Sequence, residues 1–267
     1  MSRSPRPHYR DEGFVVRTHK LGEADLILVL LTREHGLVRA VAKGIRRVGS
    51  RFGAKLDRFS RVNVQIYSTR NATVTGGGLG TITDAATVAT YAPQIVGDVD
   101  RFYAGVAMLE IAEITVQGSV EEAAHVVDLL DAALAELTEQ AAGATLPPRT
   151  IADRFVLQAL DLAGWAPSLV DCAQCGRRGP HRAFHPLAGG AVCTTCRPPG
   201  AFTPPSQAVR VLWLLSRTGE ARAAAMETLA EIADSPEGPH LLSVAHDLLA
   251  AHLRHQTEAP CKAFVGL

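Results

Sequence analysis

The chain has 267 residues, of which 47% are hydrophobic and 20% are charged. This composition excludes a disordered or fibrous chain, and the length predicts two or more domains. The 27 basic residues balance the 27 acidic residues overall. However, the first 80 residues hold 15 Lys and Arg against 6 Asp and Glu, and the remainder holds 12 against 21. This asymmetry favours a nucleic-acid contact in the first third of the chain.

The N-terminus, MSRSPRPHYRDEGF, lacks the apolar segment of a signal peptide, and the sequence contains no apolar run long enough to span a membrane. We therefore expect a cytoplasmic protein that makes no membrane contact. Four of the five cysteines form two CxxC pairs. In a reducing compartment this pattern indicates metal binding rather than disulfides.

Residues 12–80 are predicted to be all-β. Gly, polar and charged turns separate five short runs, which are EGFVVRT, DLILVLLT, GLVRAVAKG, RVNVQIYS and NATVTGGG. Five strands in about 70 residues are typical of an OB-fold, so we predict an OB-fold nucleic-acid-binding barrel over residues 1–82. The glycine run at residues 76–80 lacks the Lys-Ser/Thr pair of a phosphate-binding loop and is interpreted as a flexible exit from the barrel.

The segment at residues 36–61 begins as a strand and continues as a glycine-interrupted basic loop. Such a surface suits a polyanion, because each neutralised phosphate releases counterions without requiring a particular base. The alternative is a solvated charge run. Phe52 is predicted either to stack on a base or to pack in the core, and Phe59 to pack in the core. The candidate DNA-binding residues are Arg39, Lys43, Arg46, Arg47, Arg51, Phe52, Lys55 and Arg58.

From residue 84 the hydrophobic period changes to that of helices, which predicts an all-α domain over residues 83–267. The expected fold class is therefore α+β multidomain. Ser119 and Glu122 fit a capping box ahead of one helix. The acids of that helix, Asp128 and Asp131 among them, are expected on its exposed side.

A metal motif is predicted within the helical domain, at about residues 170–200. Seventeen residues separate the two CxxC pairs, a spacing that falls within that of a zinc ribbon. Two such turns place four thiolates about 2.3 Å from one ion and close its coordination, which predicts one structural Zn²⁺. The predicted ligands are Cys172, Cys175, Cys193 and Cys196.

Some alternatives around this motif stay open. His181 or His185 can replace a cysteine as ligand, and a redox role for the CxxC pairs is the rival interpretation. The arginines between the pairs form a small positive patch that either touches nucleic acid or keeps the insert soluble. Cys261 has no partner in the sequence and is expected to be a plain thiol.

Four features carry a resemblance to a known family. They are YRDEGFVVRTHKLGEADLILVLLTREHGLVRAVAKGIRR, SRFGAKLDRFSRV, the CxxC pairs within a helical domain, and the closing APCKAF. In these features the chain resembles the bacterial RecO family of DNA repair and recombination mediators, most specifically at residues 9–68. The resemblance implies an N-terminal OB-fold followed by a helical domain with a zinc motif or its remnant.

The resemblance also implies a function in DNA damage repair and, with it, a nucleoid-associated location. Family members bind single- and double-stranded DNA, anneal complementary strands and, with RecR, help to load RecA onto DNA coated with single-stranded DNA-binding protein. RecA is thus an indirect partner. The resemblance further suggests that the acidic C-terminal tail of single-stranded DNA-binding protein docks on the helical domain, where Arg154 is the candidate to receive its carboxylate.

The sequence contains no GxxxxGK[ST], HExxH, zinc-deaminase HxE or GxSxG motif. We therefore expect a protein that is not an enzyme, with no catalytic residues and no nucleotide cofactor, so that its free energy comes from binding. One alternative is a zinc-stapled adaptor that recruits repair partners without direct DNA annealing. Another is a metalloenzyme, which would need an open position on the zinc.

Overall fold

The computed structural model describes residues 8–68, 78–116, 120–139, 146–257 and 260–267. The chain divides into two compact units, Met1–Glu139 and Gln140–Leu267. Among the described residues, no helix is both long enough and apolar enough to cross a membrane.

The first unit is built on a closed barrel of five strands in the order β1-β2-β3-β5-β4. Neighbouring strands are antiparallel except β3 and β5, which run parallel. This is the strand order of an OB-fold, so the predicted N-terminal barrel is confirmed. The strands are β1 (His8–Leu21), β2 (Asp25–Thr32), β3 (Gly36–Ala42), β4 (Ser60–Tyr67) and β5 (Gly80–Thr90).

Strand β4 shows most clearly why the barrel forms. Its residues alternate along the chain, so that Val62, Val64 and Ile66 are fully buried while the polar residues between them stay partly exposed. Alternate strand side chains point to opposite faces, and the apolar set therefore fills the barrel interior. Strands β2 and β3 are buried more continuously, because a helix of the same unit contacts their outer faces.

The prediction that helices begin at residue 84 is wrong, because β5 continues to Thr90 and pairs with β4 along its length. The second half of β5 is largely exposed and rich in Ala and Thr, so it lacks the apolar alternation that identifies a strand. The glycine run is not the exit from the barrel, since Gly80 begins this last strand; residues 76 and 77 of the run lie outside the described residues. Most of the predicted strand NATVTGGG, residues 71–77, lies outside the described residues.

Three helices complete the first unit: α1 (Ala92–Val96), α2 (Val99–Thr115) and α3 (Ala123–Glu139). Asp98 caps α2 by accepting a hydrogen bond from the backbone N–H of Arg101 at 2.9 Å. Glu122 of the predicted capping box directly precedes α3, which begins at Ala123, so the box stays a prediction. Its other member, Ser119, lies outside the described residues.

A glycine in α2 allows the helix to pack closely on the barrel. Phe59, at the entrance to β4, is 1% exposed, so its predicted core position is confirmed. Its ring lies against Gly105, where an added Cβ would come within 2.7 Å of the ring atom Cε1. Any larger residue at position 105 would displace the helix or the ring.

The second unit is helical, as predicted, apart from a small hairpin. Helices α5, α6 and α7 contact one another, and α4 packs on α5 and α7. The hairpin strands β6 and β7 lie between the two CxxC turns. The elements are α4 (Pro148–Leu162), β6 (Ala183–His185), β7 (Gly190–Val192), α5 (Ser206–Leu215), α6 (Ala221–Ala233), α7 (Gly238–Gln256) and α8 (Lys262–Val265).

The packing of the first unit includes more than the barrel. Helix α2 contacts β1, and α3 contacts β2 and β3, so these helices belong to the same compact unit as the strands. The compact unit ends at Glu139 because it is defined by packing, whereas the predicted domain ends at residue 82 because it is defined by the change of sequence pattern. The boundary after residue 82 therefore stays a prediction.

Candidate nucleic-acid interface and metal centre

The basic loop, residues 43–58, joins β3 to β4, and its first half is tied to the turn between β1 and β2. The backbone N–H of Gly44 donates to Asp25 Oδ1 at 2.7 Å. Arg46 donates from its backbone N–H to Ala24 O and from Nη1 to Glu23 O, both at 3.0 Å. In OB-folds the loop between the first two strands borders the ligand-binding face. The sequence carries no signal for these contacts, because they depend on the closure of the barrel.

The second half of the basic loop plugs the barrel. Phe52 and Leu56 are 2% and 3% exposed and belong to the core cluster of the barrel, with the half-buried Ile45 packed beside it. The Arg51 guanidinium carbon lies 4.7 Å from the centre of the Phe52 ring. The prediction that Phe52 stacks on a base is therefore wrong, since its ring fills the barrel end and presents no open face.

The remaining candidates are cations of β3 and the basic loop, and most of them are exposed. Of residues 43–58, all of which are described, only Asp57 is acidic, and its carboxylate accepts a hydrogen bond from the Arg58 backbone N–H at 2.8 Å. Arg58 itself is half-buried. The exposed candidates are Arg39, Lys43, Arg46, Arg47, Arg51 and Lys55. Six exposed cations on one folded segment can meet several phosphates of a nucleic-acid backbone.

Arg61 continues the basic sequence but is engaged inside the first unit. Its Nη1 donates to Asp131 Oδ2 at 2.6 Å, and its Nε forms an ion pair with Glu12 Oε1 at 3.2 Å. The Tyr91 hydroxyl donates to the other oxygen of Asp131 at 2.7 Å. Burial, followed by this hydrogen bond, raises the pKa of Tyr91 to about 12. The prediction that Asp131 lies on an exposed helix side is therefore wrong, because it faces the barrel.

Asp128 lies one helical turn before Asp131 and forms a bidentate pair with Arg33. Nη2 of Arg33 donates to Oδ2 at 2.9 Å, and Nη1 donates to Oδ1. The hydrogen bond from Arg33 lowers the pKa of Asp128. The Asp128 side chain is 58% exposed, which agrees with its predicted position. Two neighbouring acids thus hold α3 to two arginines of the barrel segment.

The four predicted metal ligands come together in the second unit. The Sγ atoms of Cys172, Cys175, Cys193 and Cys196 all lie within 4.8 Å of one another. The Cys175 and Cys193 sulfurs are 3.9 Å apart. Four sulfurs placed tetrahedrally about 2.3 Å from one ion would be separated by about 3.8 Å. The four side chains therefore fit one closed four-thiolate metal site.

The electrostatics of the thiols also suit a cation. The backbone N–H of Cys193 donates to Cys172 Sγ at 3.4 Å, and this bond lowers the pKa of Cys172 to about 6. Thiol hydrogen bonds, first with Cys175 and then with Cys193, raise the pKa of Cys196 to about 12. The cluster thus favours a thiolate at Cys172 and disfavours one at Cys196, where it would lie beside the other sulfurs and be repelled by their charge. A bound metal cation would offset that repulsion and deprotonate all four.

Neither histidine of the insert belongs to this cluster. The His181 Nε2 atom lies 2.8 Å from the carbonyl oxygen of Arg177, which occupies that ring nitrogen. His185 Nδ1 is buried without a hydrogen-bond partner. The all-cysteine ligand set is therefore the better fit. Cys261 is buried outside the cluster and forms no disulfide, and its Sγ lies 3.3 Å from Thr257 Oγ1.

Arg154 does not lie where a partner's tail can reach it. The residue is 4% exposed in the middle of α4, and its Nη1 donates to Met226 Sδ at 3.5 Å. A carboxylate from another protein would have to enter the helical bundle to meet it. The prediction that Arg154 receives such a carboxylate is therefore wrong.

An OB-fold barrel with a cationic surface is followed in the chain by a helical unit with four clustered cysteines. These features define a class of OB-fold protein whose second unit carries a candidate metal site. Family models confirm and narrow this assignment. "Recombination protein O N terminal" matches residues 6–91, and "Recombination protein O C terminal" matches residues 96–262. The chain therefore belongs to the RecO family, whose members are DNA repair and recombination mediators that work with DNA and RecR.

One similar solved structure is an asparaginyl-tRNA synthetase from Pyrococcus horikoshii. It is 15% identical over 42% of this chain, with a TM-score of 0.27, and the match spans 30% of the length of that protein. A similarity of this size does not define the fold.

Proposed function

We propose that the chain binds single- and double-stranded DNA through the exposed cations of the basic loop and β3, and anneals complementary strands. The observation that carries this proposal is a set of six exposed cations in a chain of the RecO family: five lie on a loop anchored to an OB-fold barrel, and Arg39 lies on the adjoining strand β3. We further propose that, with RecR, it helps to load RecA onto DNA coated with single-stranded DNA-binding protein. One structural Zn²⁺ held by the four cysteines would staple the second unit.

Annealing by such a surface needs no chemical step. Cations that hold phosphates leave base edges open, because phosphate contacts position a strand without reading its sequence. A second strand can then pair with the first, and the stability of the duplex drives the reaction. Charge neutralisation also lowers the repulsion between the two strands.

This mechanism predicts a steep dependence on salt. If the six exposed cations neutralise about six phosphates of a single strand, the logarithmic salt slope is about −4. A fourfold rise in salt would then lower the affinity by about 2.5 decades. Binding to oligonucleotides that did not depend on salt would contradict this mechanism.

The test is annealing of two complementary fluorescent oligonucleotides without ATP, with and without single-stranded DNA-binding protein. The variant Arg46/Arg47/Arg51→Ala should lose annealing while keeping the circular dichroism of the wild type. The three side chains are exposed, and although the Arg46 hydrogen bond to Glu23 O is lost, the backbone N–H groups of Gly44 and Arg46 and the buried Phe52 still anchor the loop. The control Arg222/Arg254/Lys262→Ala removes the same charge from exposed positions of the second unit and should anneal normally. If the basic-loop variant anneals as well as the control and the wild type, the proposed site is refuted and an adaptor role is favoured.

The loading step has its own assay. RecA filament formation on single strands coated with single-stranded DNA-binding protein should begin sooner when both this chain and RecR are present than with either alone. Metal content, measured by mass spectrometry of the purified chain, should give one zinc per chain. Filament formation unaffected by the pair would remove the loading role and leave annealing standing.

A further inference from the structure

The second unit contains an open groove between the metal-binding segment and helix α5. Its volume is about 750 Å³, within the range of sites that hold small ligands. One wall comes from the segment around the first CxxC turn, and the other from α5 and the residues before it. The residues that matter here are Val170, His181, Arg182, Pro204, Arg210 and Trp213.

The groove carries an exposed aromatic surface. The Trp213 side chain remains 36% exposed, although an indole gains more than most side chains from burial. Arg210 lies one turn before it on α5, and Arg217 follows one turn after it. The Arg217 guanidinium carbon lies 4.9 Å from the centre of the Trp213 ring. Arg210 and Trp213 thus lie on one face of α5, and Arg217, just beyond the end of the helix, adds a second cation beside the ring.

The charge of the groove is positive. Arg182 and Arg210 line opposite walls, and both are exposed. No acidic side chain lines the groove among the residues that the structure describes. Asp171, next to the wall residue Val170, uses its Oδ1 to accept a hydrogen bond from the Gly179 N–H at 3.1 Å. A ligand that is both anionic and able to stack is the best match to these features.

We propose that this groove binds a short segment of single-stranded nucleic acid, with one base stacked on Trp213 and neighbouring phosphates paired with Arg182 and Arg210. Every base offers a π-face, so stacking on an aromatic ring tolerates any sequence. An acidic peptide would use the two cations but would leave the exposed part of the indole, which Arg217 does not cover, in contact with water. The inference rests on the proposed function in that the chain handles DNA strands, yet it uses residues other than the basic loop.

Trp213 can report its own occupancy. The chain has two tryptophans, and a Trp165→Phe variant leaves Trp213 as the single fluorophore. Addition of a short oligothymidylate should quench its emission to saturation, because a stacked base quenches indole fluorescence. Arg182→Gln combined with Arg210→Gln should weaken this binding roughly tenfold. Arg254→Gln, an exposed arginine of α7 that does not line the groove, is the matched control and should leave it unchanged.

A second pair of variants separates stacking from folding. In the Arg46/Arg47/Arg51→Ala background, Trp213→Ala should weaken oligothymidylate binding roughly tenfold, measured by anisotropy, while Trp213→Phe should retain it because a phenyl ring still stacks. Zinc content and circular dichroism of each variant should match the wild type. Equal binding by the Ala and Phe variants would overturn the stacking contact.

Two further outcomes keep this inference distinct from the proposed function. If the basic-loop variant loses annealing but Trp213 is not quenched by oligothymidylate, the groove proposal falls alone. If the basic-loop variant anneals normally while Trp213 is quenched, the groove stands and the basic loop is not the working site. Quenching by an acidic peptide with none by oligothymidylate would assign the groove to a protein partner and overturn the inference.

Discussion

The two acids of α3 offer a direct test of how burial changes the value of an ion pair. Asp131→Asn removes the charge that faces Arg61 and Tyr91, and Asp128→Asn removes the charge that faces Arg33. Both substitutions keep the size of the side chain and its place in the same helix. They differ mainly in solvent exposure, since Asp131 is 23% exposed and Asp128 is 58% exposed.

The expected magnitudes follow from these environments. Asp131 accepts two hydrogen bonds, at 2.6 and 2.7 Å, and one of them comes from a guanidinium that is itself only 26% exposed. Hydrogen bonds to charged groups contribute about 1.5–3 kcal/mol each when buried. Partial exposure reduces that contribution, so we expect Asp131→Asn to destabilise the first unit by about 2 kcal/mol. For Asp128→Asn we expect about 0.5 kcal/mol, as for other exposed pairs.

Hydrogen exchange of the full chain, followed by mass spectrometry on peptides from β4 and α3, measures this difference at the helix concerned. Loss of about 2 kcal/mol would speed the exchange of these amides by about thirtyfold when they exchange through opening of the unit. The reasoning would be refuted if both variants accelerated exchange equally, or if Asp128→Asn had the larger effect. The wild-type Asp128 pair should also weaken in acid, since its lowered pKa makes its stabilisation present above about pH 4 and lost as the pH falls through the folded pKa.

Three further predictions concern the plug, a buried histidine and the metal site. Phe52→Ala should destabilise the barrel by about 3–5 kcal/mol, visible as faster exchange throughout the β strands; an unchanged barrel would contradict the plug. His252 donates from Nε2 to the carbonyl of Trp165, its Nδ1 is buried without a partner, and burial lowers its pKa. The free energy of unfolding of the second unit, measured in urea, should therefore decrease as the pH falls below about 6.5. His252→Gln should remove this dependence on pH. Cys193→Ala should abolish zinc binding, whereas Cys261→Ala should keep one zinc per chain; equal zinc content in both would exclude the four-cysteine site.

The barrel could be predicted where strands alternate and could not where they do not. Strand β4 has the period of a strand facing a core on one side, and its bounds follow from the sequence. The exposed end of β5 has no such period, because few of its side chains are buried. Small residues with weak preferences left the sequence compatible with a helix there, and only pairing with β4 decides between the two.

The candidate sites divide in the same way. The cysteine spacing predicts the metal site because four identical ligands at fixed separations have few other uses. The burial of Phe52 could not be predicted, since an irregular loop has no period that reveals which side chains turn inward. The pairing of Asp131 with Arg61 joins residues far apart in the chain, and it forms only after the barrel has closed. The spacing of Arg210, Trp213 and Arg217 was visible in the sequence, but the groove beside them was not.

The residues that fix the path of the basic loop are different from the residues that give it its positive charge. Its path is fixed by Phe52 and Leu56 in the barrel and by backbone contacts at Gly44, whereas Arg47, Arg51 and Lys55 project outward. Substitutions among the exposed cations should therefore be nearly neutral for folding. The affinity of the loop for a polyanion can then be raised or lowered one charge at a time. Natural variation or protein engineering could therefore adjust this affinity without changing the fold.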